Sequence, residues 1–152
     1  MGSLIFYTVD GIMEYKKSGN VYVVLLEKGD KIIEKLTEFC AKKKIKSGYF
    51  SGIGGASEIE VAYYDTREKK YHSKAFGSPP FEIVSLTGNV SLSGWKIKIH
   101  SHVVFSDSKF RVFGGHLNEA AVSPMCEIIF TPLKAKLKRK KDEATGLFFL
   151  DL

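Results

Sequence analysis

The sequence has almost no cysteine, little histidine and no long apolar run, and each scarcity narrows what the protein does. Two cysteines in 152 residues, Cys40 and Cys126, are too few for a disulfide framework. Both stand among apolar residues, the setting of buried thiols in a reducing compartment. No stretch approaches the roughly 18 apolar residues of a membrane span, and the opening MGSLIFYTVD lacks a secretory-signal pattern. Met1-Gly2 begins like an acylation signal, but Phe6 stands where serine or threonine is required. There is no internal repeat, low-complexity tract or linker. The chain therefore reads as one cytoplasmic domain spanning residues 1–152, long enough to bury about two-thirds of its unfolded surface.

Charge is informative once located. Lysine and arginine number 23 against 17 acids, a net charge of +6. Six of the basic residues, Lys134, Lys136, Lys138, Arg139, Lys140 and Lys141, fall in KAKLKRKK with no acid among them. Without them the two signs balance, so the basic character is local. This run is the candidate nucleic-acid-binding segment. Its lysines also alternate with Ala135 and Leu137, as along a strand whose charges protect a solvent-facing edge.

The rest reads as α+β: one compact domain on a largely antiparallel or mixed sheet with a flanking helix. Residues 4–9 and 20–26 predict strands, separated by a charged turn around Lys16 to Gly19. A helix follows, with Asp30 as N-cap and Ile32, Ile33, Leu36, Phe39 and Cys40 on one face. Lys42, Lys43 and Lys44 sit near its C-terminus, where they suit the helix dipole. Beyond it, strands are expected at 47–51, 58–64, 70–76, 81–92, 95–105, 110–117, 126–138 and 146–150, with short hairpin-like connections. The segment SGIGGAS at 51–57 resembles a phosphate loop, but EIEVAYYD after it reads as strand rather than helix, and it lacks a Walker lysine. It reads as a glycine-rich strand connection with unusual backbone angles.

Three of the four histidines lie in IHSHVVFSDSKFRVFGGHL. Along 95–105, alternation puts Trp95, Ile97, Ile99, Ser101, Val103 and Phe105 on one face and Lys96, Lys98, His100, His102 and Val104 on the other. If SDSKF forms the loop, Phe105 pairs with Arg111 and His116 falls opposite His100, on the face shared with His102. A register error of one would turn His116 away, and Gly114-Gly115 could host a bulge that does this. His100, His102 and His116 are the candidate metal ligands. Three imidazoles with an open fourth position suit zinc first, then nickel or copper. His72, in the charged segment EKKYHSK, is expected to be a bystander.

The succession GDKIIEKLTEFC, SGIGGASEIEVAYYD, FEIVSLTGNVSL, IHSHVVFSD, VFGGHL, CEIIF and TGLFFLDL resembles the plants-and-prokaryotes conserved (PPC) domain, from about residue 20 to the end. The resemblance implies a compact sheet-based fold assembled as a homotrimer, with His100, His102 and His116 as metal ligands. Plant relatives join this domain to AT-hooks, and no AT-hook motif occurs here. Prokaryotic relatives are commonly labelled DNA-binding. One departure is visible: alanine stands near 118–121 where the resemblance leads one to expect glycine, which puts the local loop backbone in question.

Three classes of function stay open. One is a metal-binding, candidate DNA-binding or regulatory protein acting as a homotrimer, with sequence-indifferent DNA contacts from the basic run. A second is a zinc-dependent enzyme of hydrolase type, for which Glu82 and Glu119 are possible general bases by residue type alone. The third is a ligand-sensing assembly module with a structural metal.

Overall fold

Apolar residues at alternate positions dominate the chain, and the computed structural model, which describes residues 6–9 and 13–152, folds them into a strongly bent sheet. In chain order its elements are β1 (Phe6–Val9), β2 (Met13–Ser18), β3 (Val21–Glu27), α1 (Ile32–Lys42), β4 (Gly48–Asp65), β5 (Lys70–Ser93), β6 (Lys96–Ser106), β7 (Val112–Pro132), β8 (Lys138–Lys141) and β9 (Phe148–Asp151). Leu4 and Ile5 of the first expected strand lie outside the described residues. β4 pairs with β5, β5 with β6, β6 with β7 and β7 again with β4, so these four strands close on themselves. The β1–β2–β3 meander extends the sheet from the far half of β7. Every strand pair is antiparallel except the single bridge between Leu92 and Lys138 that brings β8 against β5.

The inner face of the sheet and one face of α1 make the core. Phe50, Phe105 and Phe130 are fully buried, each removal from water contributing about 1.5–3 kcal/mol. Helix α1 lies against β6 and β7 and buries Ile32, Leu36, Phe39 and Cys40, the face expected from their spacing. Phe39 meets Phe130, Tyr22 and Tyr15 edge-on, with ring centroids 5.6, 5.2 and 5.6 Å away. Burial pushes the thiols of Cys40 and Cys126 up to about 12, which leaves both protonated and unreactive near neutrality.

Several expectations need correction. The supposed turn at Lys16 to Gly19 is mostly strand: β2 runs to Ser18 and only the Gly19-Asn20 pair turns. Strands expected in pairs are continuous as β4, β5 and β7, and in β4 the glycines of SGIGGAS bend the strand without ending it. The ladder slips at Gly52/Gly54 and Ala56/Glu58, and the chain continues as strand to Asp65. Asn118–Ala121 lies inside β7, not in a loop. The strand expected to reach 138 stops at Pro132, and residues 133–137 form a bend before β8.

The helix start differs as well. Lys31, with no side-chain cap, is the N-cap, while the Asp30 carboxylate accepts a hydrogen bond from the Glu27 amide at 2.9 Å. Capping comes from across the fold. The Glu119 carboxylate on β7 accepts from the amides of Ile33 at 2.9 Å and Glu34 at 3.1 Å, satisfying two donors that a helix leaves unpaired. A negative charge there also suits the helix dipole.

Candidate metal centre

The alternation read along 95–105 is realised from Ile99 on, where Ile99, Ser101, Val103 and Phe105 are buried inward and His100, His102 and Val104 face out with Lys98. However, β6 starts at Lys96, and Trp95, expected on the inward face, lies fully exposed in the preceding turn. The hairpin register is not the expected one. Ser106 pairs with Val112 and His102 with His116, so the loop is 107–111 rather than 106–110. The Asp107 carboxylate causes this by accepting from the amides of Lys109 at 2.9 Å and Arg111 at 3.0 Å, which draws Arg111 into the turn. A slip of two preserves the face. His116 therefore still projects beside its two partners, opposite His102 instead of His100.

The three rings form a near-equilateral set, with centroids 5.4 Å apart for His100 and His102, 5.1 Å for His100 and His116, and 5.5 Å for His102 and His116. One ring nitrogen from each lies within 4.8 Å of the others. His100 and His116 are half-buried against Asn89, Arg139 and the Tyr71 ring, which sits 5.2 Å from His116. Burial, followed by the Arg139 charge and the two neighbouring imidazoles, pulls the His100 pKa down to about 4. Burial and the His102 charge pull His116 down as well. Both rings are thereby held neutral near pH 7, the form that ligates a metal. The nitrogen-only donor set and the remaining open side fit zinc, nickel or copper.

The basic run divides. Arg139 turns inward over β5: Nε donates to Ser91 Oγ at 2.9 Å, Nη1 to the Phe148 carbonyl at 2.8 Å and Nη2 to Asn89 Oδ1 at 2.9 Å. Nη2 also lies 3.2 Å from His100 Nδ1. A guanidinium only donates, so in this arrangement Nδ1 accepts and the ring proton sits on Nε2. An ion on His100 and this bond exclude each other. Ligation through Nδ1 uses the same lone pair, and ligation through Nε2 moves the proton to Nδ1, facing a donor. Lys140 pairs with Asp151 at 2.7 Å and Lys141 with Glu143 at 3.2 Å. Lys134, Lys136 and Lys138 are exposed and carry no ion pair among the described residues.

The two glutamates considered as bases lie elsewhere. Glu119 is committed to the helix cap, and exposed Glu82 pairs with Ser106, four residues along β6 from His102. A second group, Asp65, Glu68 and His72, clusters on the outside around the β4–β5 turn. His72 Nε2 is 3.2 Å from Glu68 there, and Asp65 accepts from the amides of Arg67 and Glu68, which lowers its pKa. Asn89 was not singled out in the sequence. Its position opposite His100 was open to register arithmetic on β5 and β6.

No helix among the described residues is long and apolar enough to cross a membrane. A solved structure from Bacteroides thetaiotaomicron, described as a candidate DNA-binding protein, is 30% identical, covers 93% of this chain and 98% of its own, and superposes with a TM-score of 0.89. One from Archaeoglobus fulgidus, described as a metal-containing protein, is 32% identical over the whole of both chains with a TM-score of 0.81. A curated relative, the bifunctional protein GlmU of a Synechococcus strain, is 26% identical over 135 residues, or 87% of this chain. This chain spans only a fifth of that protein's length (20%). The model of the Plants and Prokaryotes Conserved domain, abbreviated PCC or PPC, matches residues 13–134, and the chain belongs to that family.

Proposed function

We propose that this chain is a metal-binding PPC-domain protein that holds one divalent transition ion, zinc first, on His100, His102 and His116 and works as a homotrimeric regulatory or ligand-sensing protein. The observation that carries the reading is the convergence of three ring nitrogens within 4.8 Å, two of them on rings held neutral by burial. The relative described as metal-containing supports it by likeness. A three-histidine zinc ion would supply a Lewis-acid position and a bound water with a pKa near 7. The chain's own part is to fix three imidazole donors on paired strands and to set Tyr71 and Arg139 around them. Neither Glu82 nor Glu119 stands beside the histidines, so neither general base considered for a hydrolase is in place, and a structural or ligand-anchoring ion is the better reading.

Metal analysis of untagged protein tests this. About one divalent ion per chain is expected, lost when all three histidines become alanine and retained in His72→Ala. Stoichiometric metal that survives the triple change would sink the assignment.

A sequence-indifferent DNA contact is the second reading, favoured by the exposure of Lys134, Lys136 and Lys138 and by the family likeness to a candidate DNA-binding protein. Arg139, Lys140 and Lys141 contribute less, because the two lysines are ion-paired and the Arg139 guanidinium is turned inward onto neutral acceptors. Affinity should fall with salt, by a logarithmic slope of about −0.9 for each phosphate neutralised. Changing Lys134, Lys136 and Lys138 to glutamate should abolish binding measured by fluorescence anisotropy. Wild-type protein that leaves duplex DNA free at about 50 mM salt, where such contacts are strong, removes nucleic acid from the function.

A further inference from the structure

The β8–β9 hairpin meets β5 beside the histidines and walls a half-open cavity of about 570 Å³. Its composition is one-sided. Lys98 and Arg139 supply two positive charges, and Leu147, Phe148, Phe149 and Leu150 supply an apolar wall. Among the described residues, no acidic side chain lines it. The Arg139 guanidinium is half-buried, and its partners are a hydroxyl, a carbonyl, an amide oxygen and an imidazole, all neutral. Burying a cation without an opposite charge is unfavourable, and such groups are ordinarily paired. Lys98 likewise has no ion pair among the described residues, and it shares a strand face with His100 two residues away. The volume is that of a small-molecule site.

We infer that this cavity binds a small organic acid, its carboxylate paired with Lys98 and Arg139 and its apolar body against Phe148 and Phe149. The two cations fix the orientation, with the carboxylate held at the Arg139 guanidinium beside His100 and the hydrocarbon left to the apolar side chains of β9. Inorganic phosphate satisfies the cations but leaves the apolar wall unused, and the same holds for the phosphates of a nucleic-acid backbone. Where His100 carries an ion, the Arg139 Nη2 that bonds its ring is released, so the loaded protein offers the carboxylate one more donor. That last step rests on the metal reading, whereas the charge complementarity does not.

Calorimetric titration of the full chain with phenylacetate, hexanoate and 2-oxohexanoate tests the proposal, first on chelator-treated protein and then on protein given zinc. At least one acid should bind with a Kd of about 1 mM or tighter, and its neutral amide at least about tenfold more weakly. Lys98→Gln, at an exposed position that the fold does not need, should weaken the acid about tenfold. Arg139→Gln should do the same. The proposal is overturned if no acid binds, if acid and amide bind equally, or if Lys98→Gln binds as well as wild type. Protein that takes up zinc but no acid sinks only the organic-acid site. Protein that binds the acid but takes up no zinc sinks only the metal centre.

Discussion

Gly54→Ala is expected to lower the unfolding free energy by more than about 3 kcal/mol and the thermal midpoint by about 10 °C. Gly54 has φ +153, and a Cβ there would stand 2.3 Å from the Met125 carbonyl oxygen and 2.6 Å from Cys126 Cα. Those atoms are backbone of the paired strand β7, so relief requires the ladder itself to move. Overpacking of about 1–3 kcal/mol adds to the conformational strain of a side chain at that φ. Gly77→Ala is the control. It lies in β5 with open space around it, and its stability should stay within about 0.5 kcal/mol of wild type. Equal midpoints for the two variants in calorimetry would show that the bend in β4 does not depend on its glycines.

If the proposed homotrimer is built on the outer sheet face, a charge placed there should split it into single chains. Val23 and Ile129 pair across β3 and β7, and with Tyr49, Ile53 and Val84 they leave apolar side chains about half exposed on the face away from α1. Lysine at position 129 is tolerated by an isolated chain, because 46% of Ile129 is already exposed. In an assembly that buries this face, three such charges would be desolvated without partners. Light scattering should give wild type about three times the 17.0 kDa chain mass and Ile129→Lys one. Wild type of single-chain mass at micromolar concentration would remove the homotrimer from the proposed function.

What was legible in the sequence was periodicity. The two-residue period of β6 placed His100 and His102 outside and Phe105 inside, and the spacing of Ile32, Leu36, Phe39 and Cys40 gave the buried face of α1. Illegible were the connections that depend on one side chain reaching a backbone amide. Asp107 tightened the turn and shifted the register by two, and the histidines kept their common face only because that shift was even. The continuous β4 read as two strands because glycine normally signals a turn, whereas here it lets β7 approach β4 closely. Arg139 lay in a run whose neighbours all suggested solvent. Its inward turn depends on Ser91 and Asn89, 48 and 50 residues earlier, which no local pattern connects to it.

The carboxylate of Glu119 gives α1 a kinetic dependence as well as a static partner. The helix has only 11 residues and no cap of its own, and helices shorter than about 12–15 residues are marginal in water. Its first-turn amides find their acceptor 86 and 85 residues further on, at the start of the half of β7 that completes the sheet. During synthesis α1 emerges well before that acceptor exists. A settled helix therefore waits on closure of a loop of that length, which places its ordering among the later, non-local steps of folding. The same glutamate accepts from the Ala120 amide through Oε1, so the cap of α1 and a backbone amide of the strand that carries His116 share one carboxylate.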